Sequence, residues 1–203
     1  MTQHVDRSQA RATRRAFLAG ALPLSLTGAV ARADPLANRF GGPFSLTDHN
    51  GRRVTDQDFR GRWLLIYFGF TQCVDLCPVD MPVMATALDA IGPLIDKVQP
   101  LFITVDPDND KPEILKGYVT AFHPSILGLT GTRDEIASVT KAYRVHRMLI
   151  PTTATQKTQT GHDHMIDHGS LTYLMGPDGG FVTLIPHGTD AKRMAEIIRA
   201  HVK

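Results

Sequence analysis

Beyond residue 43 the hydrophobic positions alternate between two kinds of pattern. Continuous apolar runs occur at Trp63-Leu64-Leu65-Ile66-Tyr67-Phe68-Gly69-Phe70, at Leu101-Phe102-Ile103-Thr104-Val105 and from Ile126 to Leu129. Short runs of this kind, bounded by turn residues, predict strands buried on both faces. Between and after them the spacing becomes helical. Met84, Leu88, Ile91 and Ile95 share one stripe, with Asp80 as a candidate cap and Pro82 in the first turn. A second helix is predicted over Pro112 to Phe122, with Ile114, Leu115 and Tyr118 inward, and a third over Arg133 to Tyr143.

Two hairpins frame this series. Pro43-Phe44-Ser45-Leu46 and Arg53-Val54-Thr55 flank Asp48-His49-Asn50-Gly51, where Asn-Gly signals a tight turn. Leu171 to Met175 and Phe181 to Ile185 are joined by Gly176-Pro177-Asp178-Gly179-Gly180. Tyr143 to Ile150 reads as extended and Pro151 to Gly161 as a polar loop. A last helix after Thr189 buries Met194, Ile197, Ile198 and Val202. The order is that of an α/β fold with parallel crossovers and one antiparallel pair. Two cysteines, Cys73 and Cys77, close the first buried strand and open the first helix, a thioredoxin-like placement. The expected fold is therefore thioredoxin-like, with an added N-terminal β-hairpin and a hairpin inserted before the C-terminal helix.

Charge changes the picture only when the chain is divided. The 203 residues carry 22 Lys+Arg and 20 Asp+Glu. Residues 1–33 contain Arg7, Arg11, Arg14, Arg15 and Arg32 against Asp6 alone, which leaves 17 basic and 19 acidic groups in the remainder. A mildly acidic body has no electrostatic footprint for nucleic acid. The basic segment, a charge-free stretch from Ala16 to Ala31 and the small-residue pattern around Ala33 read as an export signal, and Arg14-Arg15 followed by Phe17-Leu18 resembles the twin-arginine type. The expectation is an export signal over 1–33, a linker over 34–42 and one folded domain over 43–203. The expected location is the periplasm, with membrane attachment only where the signal stays uncleaved.

The candidate chemistry sits in Phe70-Thr71-Gln72-Cys73-Val74-Asp75-Leu76-Cys77-Pro78. Two cysteines are too few to staple a scaffold. At a helix N-terminus the free amides and the dipole favour thiolates, so a lowered pKa is expected. Three intervening residues give a bite that can close on a metal or form a disulfide. Two sulfurs do not complete a zinc site, whereas two thiolates and one imidazole suit copper as Cu(I) and Cu(II). His168, in Met165-Ile166-Asp167-His168-Gly169, is the candidate imidazole, expected in a loop facing the cysteines. His162 and His164 are either an auxiliary metal patch or part of a polar loop. Met81 and Met84 read as core filler. His49, His123, His146, His187 and His201 read as loop or surface residues.

Three strings occur in order: Phe70-Thr71-x-Cys73-x-x-x-Cys77-Pro78, Val105-Asp106-Pro107 with Asp110 and Pro112, and Asp167-His168 ahead of Tyr173-Leu174-Met175-Gly176-Pro177-Asp178-Gly179. Together they resemble the Sco/SenC family from about Phe44 to the C-terminus. The resemblance implies a thioredoxin-like copper chaperone that assembles the binuclear copper centre of cytochrome c oxidase. It implies Cys73, Cys77 and His168 as copper ligands and Asp106 as an accessory residue near the site. The implied partners are the copper-bearing oxidase subunit and a second periplasmic copper chaperone. Val74 stands where the family usually has proline, and Asp108-Asn109 replaces the more usual Glu-Arg.

Two other functions use the same cysteines. A thiol–disulfide oxidoreductase would reduce the cysteines of the oxidase copper site through the Cys73–Cys77 redox pair. On that reading the chain is an enzyme as well as a metallochaperone. A peroxiredoxin-like peroxidase fits less well, because Thr71-x-Cys73 is one residue short of the peroxidatic spacing.

Overall fold

The structure, a computed structural model, describes residues 40–73, 76–151, 164–169 and 171–203. Trp63–Gly69 forms β3, and its side chains alternate between two cores. Leu65 and Tyr67 point to one face, and Leu64, Ile66 and Phe68 to the other. Burial on both faces is what the unbroken apolar run predicts. Val98–Thr104 (β4) lies parallel to β3, and Leu127–Thr130 (β5) lies parallel to β4. Leu171–Met175 (β8) runs antiparallel on the other side of β3, followed at the edge by Phe181–Pro186 (β9).

The N-terminal hairpin is part of this sheet. Ser45–Asp48 (β1) pairs with Arg53–Thr55 (β2) and also, antiparallel, with β5. The seven strands take the order β2-β1-β5-β4-β3-β8-β9. Cys77–Ala90 (α1), Pro112–Phe122 (α2) and Ala191–His201 (α4) cover the face that holds Leu65, Tyr67, Phe102 and Leu174. Arg133–Ala142 (α3) covers the face of Ile66, Phe68, Ile103 and Tyr173, where Phe68, Tyr143 and Tyr173 meet edge-on or tilted. Met81 and Met84 are fully buried in the first core, as their helical spacing suggests. Among the described residues no helix is long and apolar enough to cross a membrane.

Several local expectations are corrected. Ile114, expected inward, is half exposed on α2, and α1 stops at Ala90, short of Ile91 and Ile95. Asp80 does not cap α1: the helix begins at Cys77, its N-cap Leu76 supplies no side-chain hydrogen bond, and the Asp80 carboxylate turns into the core. His168 does not lie in a loop. Arg147–Pro151 (β6) and His164–His168 (β7) form a separate antiparallel pair, with His168 opposite Arg147. The sequence His-Met-Ile-Asp-His has no strand alternation, so only the partner strand reveals β7. Residues 152–161 of the expected polar loop and His162 lie outside the described residues.

The segment that carries the cysteines is clipped to β4. Thr71 donates to Asp110 through its amide (3.1 Å) and its hydroxyl (2.6 Å), and Thr104 donates to the same carboxylate at 2.6 Å. Asp110 is buried, and burial pushes its carboxyl above the usual range despite these donors, with Asp106 adding to the rise. The folded state therefore binds the Asp110 proton more tightly than the unfolded chain does. This contribution is complete below the ordinary carboxylate pKa and is lost as pH rises through the elevated folded value. Asp110→Asn keeps an acceptor and removes the titration. Urea unfolding across pH should show the wild-type stability gaining on that of the variant as pH falls from neutral into the acid range; a constant difference would contradict the assignment.

Candidate metal centre

The cysteine site is built on a missing side chain. β3 ends at Gly69, where a Cβ would fall 2.7 Å from Cys77 Sγ and 3.0 Å from both Phe102 and Tyr67 ring carbons. Only glycine lets the first residue of α1 lodge its sulfur against the end of the strand. Cys77 is fully buried and Cys73 nearly so, and the two are not joined by a disulfide. The Cys77 amide, among the first free amides of α1, donates to Cys73 Sγ at 3.5 Å. The two thiols also meet each other directly through a side-chain hydrogen bond.

The expected lowering of the thiol pKa does not hold for Cys77. Its hydrogen bond to Cys73 and its burial push the thiol well up, and the Phe70 amide and the Tyr67 hydroxyl only partly oppose this. Tyr67 lies 3.8 Å from Cys77 Sγ and donates to Asp80 Oδ2 at 3.1 Å. Asp80 Oδ1 is in turn 2.8 Å from His187 Nδ1. Near both sulfurs, the Tyr118 hydroxyl is buried with no hydrogen-bond partner among the described residues, and burial and the two thiols raise its pKa.

The remaining candidates divide by place. Asp106 is buried in the turn after β4. Its amide takes the Thr104 hydroxyl as acceptor (2.9 Å), and its carboxylate accepts from the Asn109 side chain (2.8 Å). Asp108 pairs with Arg133 at 2.9 Å. The two residues that depart from the expected Glu-Arg thus organise the turn and its link to α3. His168 reaches the same end of the sheet through its backbone: it pairs with Arg147, whose guanidinium donates to the Val105 carbonyl at 2.6 Å. The His168 and His164 side chains, like Val74 and Asp75, lie outside the described residues. Among the described residues no three His, Cys, Asp or Glu side chains are grouped to hold a metal ion.

Tyr67, Asp80 and His187 were not legible as site residues. His187 stands alone in a turn, and Asp80 has the pattern of a cap. The one available signal is Tyr67, which carries the only hydroxyl in an otherwise apolar strand.

Comparison with known proteins extends this geometry. The SCO1/SenC family model matches residues 32–203. The human protein SCO1 homolog, mitochondrial, is 41% identical over 165 residues, 80% of this chain and 53% of the human protein. The chain thus spans about half the length of that curated relative. The copper-bound structure of Bradyrhizobium japonicum ScoI superposes with a TM-score of 0.71 at 39% identity, covering 80% of this chain and 99% of the other. BsSco, described as a member of the Sco family of cytochrome c oxidase assembly proteins with a disulfide switch, gives a TM-score of 0.62 at 25% identity, covering 83% and 94%.

The expected localisation is corrected by these findings. The human and Saccharomyces cerevisiae relatives are mitochondrial proteins, so a periplasmic destination reached through a twin-arginine signal is not supported. Residues 1–33, on which that reading rested, lie outside the described residues. The thioredoxin-like sheet, the paired thiols at the start of α1 and the match over residues 32–203 place this chain in the SCO1/SenC family.

Proposed function

We propose that the chain is a copper chaperone. It holds copper between Cys73 and Cys77 and delivers it to the copper-bearing subunit of cytochrome c oxidase. The observation that carries this reading is the contact of two buried thiols in a segment clipped to the sheet. Soft, closely paired sulfurs suit Cu(I). A bound metal displaces the protons that burial otherwise retains, so a raised thiol pKa does not oppose loading as it would oppose nucleophilic attack. His168 adds the nitrogen ligand that Cu(II) prefers, Asp106 is the accessory residue beside the site, and a second copper chaperone is the donor. Residues 43–203 form the copper-handling domain, preceded by a linker over 34–42. Copper in the solved Bradyrhizobium relative and the oxidase-assembly description of BsSco support this reading.

The thiol–disulfide oxidoreductase alternative is not favoured. Disulfide exchange needs a thiolate at the outset, and at Cys77 the contact with Cys73 and burial both work against one.

The reduced chain should bind one copper per molecule with an affinity tighter than about micromolar. A Cys73→Ser/Cys77→Ser variant should bind none, measured by equilibrium dialysis against a Cu(I) chelator. His168→Ala should keep Cu(I) and lose the sulfur-to-copper absorption of the Cu(II) form; an unchanged Cu(II) spectrum would remove His168 from the ligand set. Gly69→Ala forces the Cys77 sulfur off the strand end. It should lower thermal stability by an amount typical of overpacking, about 1–3 kcal/mol, and weaken copper binding. Wild-type copper affinity in that variant would show that the sulfur position is not critical.

A further inference from the structure

A chain of four side chains runs from solvent to the buried sulfur of Cys77. His187, in the turn between β9 and α4, has a side chain 41% exposed, and its Nδ1 lies 2.8 Å from Asp80 Oδ1. Asp80 Oδ2 accepts from the Tyr67 hydroxyl at 3.1 Å, and the same hydroxyl is 3.8 Å from Cys77 Sγ. The Tyr67 ring is 1% exposed and stacks on Phe102 at 6.2 Å, so its oxygen is held in place by the core. Burial and the neighbouring Cys77 and Asp80 push the Tyr67 pKa far up, which keeps the hydroxyl protonated. A hydroxyl has one hydrogen and here two acceptors. What the carboxylate takes, the sulfur does not receive.

We propose that Tyr67 is a positioning residue for the Cys77 sulfur, and that His187, acting through Asp80, sets how much of the Tyr67 hydrogen bond the sulfur receives. This rests on the reading of Cys73 and Cys77 as the copper-holding pair. Hydrogen bonds to a ligating sulfur draw charge from it and tune the metal it holds. The interaction of His187 with Oδ1 makes Asp80 a weaker acceptor at Oδ2, and this leaves more of the hydroxyl to Cys77. The hairpin edge, the first turn of α1 and the central strand thereby act on one ligand atom. His187, a lone turn histidine in the sequence, becomes the solvent-facing end of that control.

The test uses the full chain and two readouts. In the Cu(II)-loaded protein, Tyr67→Phe should move the sulfur-to-copper band to lower energy, because the sulfur loses its donor. His187→Ala should move it the same way by less, His187→Gln should restore it, and Tyr67→Phe/His187→Ala should match Tyr67→Phe alone. The second readout needs no copper. Equilibrating the metal-free dithiol with glutathione disulfide gives the protein disulfide and two glutathiones. Tyr67→Phe should favour oxidation about two- to tenfold, the effect of one lost neutral hydrogen bond. A wild-type chain that takes up no copper would sink the copper reading, yet the glutathione equilibrium would still test Tyr67. Copper binding as expected, with Tyr67→Phe altering stability but neither readout, would overturn the positioning role. An added effect of His187→Ala in the Tyr67→Phe background would overturn the route through Asp80.

Discussion

The Cys77 sulfur occupies the space that any side chain at position 69 would fill, and the rest of the site follows from that contact. It fixes where β3 stops and α1 starts. It places Cys77 in the same core as Tyr67, Met81 and Phe102 rather than on a surface loop. It brings the first free amide of α1 onto Cys73. Asp110 then ties Thr71 to Thr104, so the cysteine segment leaves one strand while anchored to the next. The sheet, the helix start and the thiol pair are one packing arrangement.

That arrangement decides the electrostatics. A helix N-terminus stabilises an anion by about 0.3–1 kcal/mol, rarely up to about 2. Full burial can move a titratable group by about 3–5 pKa units at about 1.4 kcal/mol each. The contact with Cys73 and desolvation therefore outweigh the dipole at Cys77. A pair whose Cys77 is held as a thiol lacks Cys77 as an attacking sulfur for disulfide exchange. It remains well suited to a soft cation that displaces protons on binding.

Most of the fold was legible in the sequence because its strands are buried on both faces. Trp63 to Phe70 and Leu101 to Val105 read as strands at once, and the four α-helices declared themselves by spacing. Of the second sheet, β6 lay largely within the segment read as extended, whereas β7 carries no pattern of its own and shows only through its pairing with β6. In the candidate site, Cys73 and Cys77 were evident from type and spacing. Asp80 was visible only as a helix-start residue, because a carboxylate near a helix N-terminus has the same local pattern whether it caps the helix or turns inward.

The sequence by itself determined the α/β order, the central strands, the cysteine pair at a strand–helix junction and the family likeness, all carried by local pattern or local spacing. Tertiary structure alone decided the protonation preference of Cys77, the turning of Asp80 into the core and the recruitment of His187 from a turn 107 residues away. The reason is that these depend on burial and on contacts between distant segments, which no stretch of neighbouring residues contains.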